Sequence, residues 1–164
     1  MSTLKAGKSA PAFGLSAIDG RKYSLPEGLK NGPVLAAFFK VSCPVCQFTF
    51  PFLERLYQQL RSSKVHIWGI SQDGVKDSQR FAQEFSVTFP ILIDDKPYQV
   101  SRDYGLEHVP TIFLIAPEGS IAIESEGFAK RDLLEIQKSL AQTLSAPLTA
   151  LFLPKENVPE YKPG

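Results

Sequence analysis

The chain is poor in sulfur, in histidine and in excess charge. Of its 164 residues, two are cysteine, one is methionine, one is tryptophan and two are histidine. Two cysteines cannot build a disulfide-rich scaffold. Structural zinc sites want four ligands, yet no third cysteine exists and His66 and His108 lack finger spacing, so no metal is expected. Eighteen Lys and Arg against 17 Asp and Glu leave a net charge of +1, with no basic or acidic block. That argues against a nucleic-acid footprint and a polybasic membrane anchor. No apolar run approaches the ~18–20 residues of a membrane span. Residues 1–20 show no basic stretch leading into an apolar core of the kind that marks export. The literal expectation is a soluble, cytoplasmic monomer, although a chain trimmed of an export signal would read the same way.

What the chain does have is an ordinary globular balance, 43% hydrophobic and 21% charged. At this length a single domain buries roughly 70% of its unfolded surface and needs no covalent staple. Phe13 to Ile18 alternates before Asp19-Gly20, and Lys22 to Leu25 returns, a short N-terminal β-hairpin stopped by Pro26. Val34 to Phe39 is a continuous apolar run, suited to a strand covered on both faces. From Val45 to Arg61 the period turns helical, with Phe48, Phe52, Leu53, Leu56, Tyr57 and Leu60 on one face and a kink expected at Pro51.

Strand-type runs follow at Val65–Ile70, Phe89–Ile93, Thr111–Ala116 and Ser120–Glu126. Between and after them come helical patterns at Val75–Phe85, Tyr98–Tyr104 and Lys130–Ser145. Val75, Phe81, Ala82 and Phe85 form the apolar face of the first; Leu133, Leu134, Ile136, Leu140, Ala141 and Leu144 form that of the last. Alternating strands and helices predict an α/β domain, a central mixed sheet flanked by helices with an antiparallel edge. It should span 1–145, leaving 146–164 as a proline-rich C-terminal tail whose apolar part docks and whose end frays.

The chemistry concentrates in Cys43-Pro44-Val45-Cys46, at the junction of a buried strand and a helix. A helix N-terminus offers unpaired N–H groups and the positive end of the dipole, and both favour a thiolate. The thiolate is the nucleophile of disulfide exchange, and a second thiol one turn on can resolve the mixed disulfide. Cys43 is therefore the expected nucleophile and Cys46 the shielded resolving thiol.

Around this pair the sequence resembles the thioredoxin superfamily, specifically its TlpA-like, AhpC/TSA-related redoxin group of thiol–disulfide oxidoreductases. The resemblance covers roughly residues 8 to 145. It is carried by Ala10-Pro11-Ala12-Phe13 with Asp19-Gly20, the strand before the cysteines and Pro51. Gly69-Ile70-Ser71-Gln72-Asp73, Phe89-Pro90-Ile91-Leu92, Tyr104-Gly105-Leu106-Glu107-His108-Val109-Pro110-Thr111 and Pro117-Glu118-Gly119 complete it.

The resemblance implies a thioredoxin fold with a central αβ insertion near residues 71–90, and no cofactor. It implies a cis Val109-Pro110 peptide facing the cysteines, with Pro44, Val45, Val109 and Pro110 lining the substrate site. Protein disulfides or dithiols would be the substrates, alongside an upstream redox partner. Three positions depart from the family: Ser42 where Trp often stands, Ala37 where thioredoxins carry a buried acid, and the Pro44-Val45 dipeptide itself.

Two rival functions follow from the same fold. A peroxide reductase of the redoxin type places Thr three residues before its reactive Cys and Pro four before that Thr. Counting back from Cys46 gives Cys43 and Phe39, and from Cys43 gives Lys40 and Ala36, so neither count fits. A non-catalytic thioredoxin-like module would have no need of the intact Cys pair. The preferred expectation is a reductant of protein disulfides.

Overall fold

A computed structural model describes residues 2–164. The hairpin is β1 (Gly14–Ser16) and β2 (Lys22–Ser24), antiparallel across the Asp19-Gly20 turn. Pro26 does not simply end the return strand. It lies in the first turn of a short helix α1 (Leu25–Leu29), capped by the Ser24 hydroxyl, which accepts the Glu27 N–H at 3.3 Å. Proline costs nothing there, because first-turn N–H groups have no helical acceptor.

The central sheet has five strands: β3 (Val34–Phe39), β4 (His66–Ser71), β5 (Ile91–Ile93), β6 (Thr111–Ile115) and β7 (Ile121–Glu126). Their order is β5-β4-β3-β6-β7. The first three run parallel, and β6 and β7 are antiparallel, so the sheet is mixed as the strand order predicts. Every residue of β3 is buried. Leu35, Ala37 and Phe39 face a core shared with α2 (Pro44–Leu60), α3 (Val75–Glu84) and α5 (Lys130–Thr143). Val34, Ala36 and Phe38 face a second core with Phe13, Leu25 and Trp68, closed by α4 (Gln99–Asp103) through Val100 and the adjoining Tyr104. Strand alternation sends successive side chains to opposite faces, so one apolar run serves both cores.

The helical stripes need two corrections. Val75 and Leu134 are exposed, at 44% and 42%. Val75 opens α3, in the turn before the helix reaches the sheet, and α3 buries Ser78 and Phe81 instead. Leu134 falls at the edge of the buried face of α5, which is made by Leu133, Ile136, Gln137, Leu140 and Ala141. Helix α2 runs on through Pro51. That ring supplies no N–H, so the Gln47 carbonyl goes without its usual donor.

The C-terminal residues are placed against the domain. Leu151 is buried and the Phe152 ring lies 5.0 Å from Phe52. A strand β9 (Tyr161–Lys162) pairs antiparallel with β8 (Phe128–Ala129), immediately before α5. Among the described residues no helix is long and apolar enough to cross a membrane.

Candidate active site

Strand β3 delivers the chain to the sheet's C-terminal edge, and four residues later α2 begins. Cys43 is the N-cap of α2, with extended backbone (φ −83°, ψ 116°). Pro44 opens the helix, where its fixed φ suits the turn and its missing N–H is no loss. The Cys46 N–H donates to Cys43 Sγ at 3.2 Å. The sulfur thus occupies the position that a capping hydroxyl or carboxylate takes elsewhere, against the positive end of a 17-residue helix.

The two thiols differ sharply in setting. Cys43 is partly exposed, while Cys46 is buried in the α2 core. Burial pushes the Cys46 thiol far above its ordinary range, and the adjacent Cys43 adds to the effect, while backbone hydrogen bonding at Lys40 offsets only part of it. Cys46 is therefore held as a neutral thiol until something takes its proton.

The loop before Cys43 is held by residues distant in sequence. Asp73, just beyond β4, accepts the Val41 N–H at 2.8 Å, and the Gln47 side chain donates to the Val41 carbonyl at 2.9 Å. The Cys43 N–H donates to the Lys40 carbonyl at 3.2 Å. Ser42 and Lys40 are exposed, and the donor to the Cys43 sulfur is the Cys46 N–H, not the Ser42 hydroxyl. Ala37 is fully buried on β3, so that position carries no acid.

The other wall is the turn before β6. Cys43 Sγ–H donates to the Val109 carbonyl at 3.5 Å, joining positions 66 residues apart. The Val109–Pro110 peptide is cis, as is Lys96–Pro97 elsewhere. Pro110 is buried and Val109 partly so; Pro44 is exposed and Val45 half-buried on the α2 side. The structure thus brings all six residues singled out in the sequence, Cys43, Pro44, Val45, Cys46, Val109 and Pro110, to one end of the sheet.

His108 is exposed beside this turn. His66 lies at the start of β4, where burial lowers its pKa, with its ring 6.0 Å from Trp68. It lines a cleft of about 780 Å³ with Tyr23, Glu27 and Trp68. Since β4 begins where β3 begins, that cleft is at the opposite end of the sheet from the cysteines. Among the described residues no group of three or more His, Cys, Asp or Glu side chains could hold a metal.

Sequence reasoning noted Asp73 only as part of a motif and Gln47 not at all, and gave neither a role at the site. Both are polar residues near element ends, and only their reach to one loop reveals their role.

Comparison with known proteins adds an independent line. Residues 6–123 match the AhpC/TSA family. The thiol-disulfide oxidoreductase ResA of Halalkalibacterium halodurans is 30% identical over 135 residues, covering 82% of this chain and 76% of that one. ResA of Bacillus thuringiensis subsp. konkukian is 28% identical over 133 residues, covering 80% and 76%. The thioredoxin domain of a thiol-disulfide oxidoreductase from Bacteroides vulgatus superposes with a TM-score of 0.74 at 25% identity, covering 84% of this chain and 98% of that one.

Proposed function

Proceeding from a chain that belongs to the AhpC/TSA family, has the thioredoxin fold and is a thiol–disulfide oxidoreductase, we propose that it reduces protein disulfides through Cys43 and Cys46. The observation that carries this reading is the asymmetry of the pair. One sulfur is partly exposed at a helix N-cap and the other is buried one turn inside.

The Cys43 thiolate attacks one sulfur of the substrate disulfide. A Cys43–substrate disulfide forms and the other substrate sulfur leaves as a thiolate. That thiolate is a base close at hand for the Cys46 proton. Cys46 then attacks the Cys43 sulfur, forming the Cys43–Cys46 disulfide and releasing the second substrate thiol. Two electrons pass from the protein to the substrate, and an upstream dithiol must return them.

The proposed direction is reduction. Strong oxidants of this kind owe their potential to a specially stabilised reduced form, so the reduction potential tests it. The same reading assigns the protein to a reducing compartment such as the cytoplasm, where thiols are kept reduced. The Pro44, Val45, Val109 and Pro110 surface would seat the substrate chain around the exposed sulfur.

The test combines alkylation with trapping. In the native reduced protein, iodoacetamide should label Cys43 well before Cys46, read by peptide mass. Cys46→Ser should accumulate mixed disulfides with protein substrates and Cys43→Ser should not. Faster labelling of Cys46 overturns the assignment. Rapid hydrogen peroxide consumption without insulin reduction would move the protein to the peroxide-reductase reading. A reduction potential near the ~−120 mV of strong oxidants, rather than ~−270 mV, would reverse the direction.

A further inference from the structure

The last residues of the chain lie against the Val109 turn that faces Cys43. A Cβ built on Gly164 would stand 2.4 Å from the Val109 carbonyl oxygen and 3.5 Å from the His108 Cβ. That carbonyl is the group 3.5 Å from Cys43 Sγ. Close approach of the two backbones is possible because position 164 has no side chain. Gly127 makes the same allowance one step back. It has φ +72°, its own Cβ would stand 2.5 Å from the Lys162 carbonyl, and its N–H donates to the Pro110 carbonyl at 2.8 Å.

The segment is anchored unevenly. At its base Arg55 donates to the Leu151 carbonyl at 2.7 Å and to both Glu156 carboxylate oxygens at 2.8 Å. Gln137 and Gln59 hold the carbonyls of Thr149 and Ala150. Asn157 then takes a left-handed conformation (φ 48°) and redirects the chain. Beyond it the hold is lighter: the Lys130 N–H to the Glu160 carbonyl at 2.9 Å, the two-residue β8–β9 pair, and the Lys162 ammonium 4.9 Å from the centre of the Phe48 ring. Tyr161 is 56% exposed. A firmly pinned base, a bend and a lightly held end describe a strap.

We infer that residues 158–164 are a specificity-determining strap, an extended segment of the chain's own that walls the substrate groove beside Cys43. An extended polypeptide seeking to lie along the Val109 turn meets backbone already docked there, as an added strand would be. A small disulfide needs only the sulfur. The strap therefore discriminates by substrate size and shape, slowing bulky protein disulfides that must displace it and sparing compact ones. This rests on Cys43 being the attacking thiol.

The test uses the full chain, reduced, in single turnover against two disulfides: insulin and the small aromatic disulfide 5,5′-dithiobis(2-nitrobenzoate). Lys162→Pro removes the ammonium over Phe48 and a strand N–H. Gly164→Ala places a methyl where the Val109 carbonyl stands. Each should raise the rate constant with insulin about fivefold, the scale of one net hydrogen bond, and change that with the small disulfide less than about twofold. Circular dichroism of each variant confirms that the fold is kept. An unchanged insulin-to-small-disulfide ratio in both variants overturns the strap. A lowered ratio also overturns it, since the segment would then help seat substrate. If the unsubstituted protein reduces neither compound, the proposed function fails, an outcome distinct from either.

Discussion

At the scale of single residues, the site depends on groups that do no chemistry themselves. Cys43 can present its sulfur only if the Lys40–Ser42 loop is held, and the Asp73 carboxylate does this by accepting the Val41 N–H at 2.8 Å. A hydrogen bond to a charged group contributes about 1.5–3 kcal/mol. Asp73→Ala should therefore destabilise the protein by about 1–3 kcal/mol in urea unfolding. It should lower kcat/KM for disulfide reduction more than it slows alkylation of Cys43, because positioning matters more to a bulky disulfide than to a small reagent. Asp73→Asn keeps an acceptor and should recover much of both. Equal losses in the two variants would show that charge, not the hydrogen bond, holds the loop.

At the scale of elements, α4 shows how a weak helix is made. Five residues are too few to be stable alone, and its N-cap, Tyr98, is left-handed (φ 61°) and provides no side-chain cap. The cap comes from Asp94 at the end of β5. Its carboxylate accepts the Val100 and Ser101 N–H groups at 3.1 and 2.8 Å and the Ser101 hydroxyl at 2.8 Å. All of this is buried, so removing the acceptor strands two backbone donors away from water. Asp94→Ala should cost about 2–4 kcal/mol of stability by chemical denaturation. The effect should appear first as loss of hydrogen-exchange protection in residues 99–104, which hold Tyr104 against Phe38. Uniform loss across the sheet would mean that α4 does not open separately.

At the scale of the whole molecule, one ion pair ties the C-terminal segment to α2. The Arg55 guanidinium beside Glu156 and the Leu153 N–H hold that carboxyl down, from 4.5 to about 2. A depressed carboxyl stabilises the fold above its unfolded pKa and loses that contribution as protonation proceeds. The ion pair's contribution is thus full above about pH 4.5 and is lost between there and about pH 2. Thermal unfolding of the protein and of Glu156→Gln should differ by a constant amount above pH 5 and converge toward pH 2. A difference that persists at pH 2 would show that the substitution acts through packing rather than charge.

Much of this protein was legible along the chain because the signals are local. The Asp19-Gly20 turn, the apolar run of Val34–Phe39 and the helical period after Cys46 each depend on neighbours a few residues apart. So does the Cys43–Cys46 spacing at a strand-to-helix junction, and the structure brings that pair and the Val109–Pro110 turn together. What only the tertiary structure decided spans long separations. Asp73 reaches Val41 across 32 positions, Cys43 meets Val109 across 66, and Arg55 finds Glu156 across 101. No periodicity encodes such meetings, because they follow from the order and hand of strands in the sheet. The same holds for the chain's last residues. Their prolines suggest a loose end, yet the edge at Phe128–Ala129 and the space above Gly127 exist only once the sheet has formed.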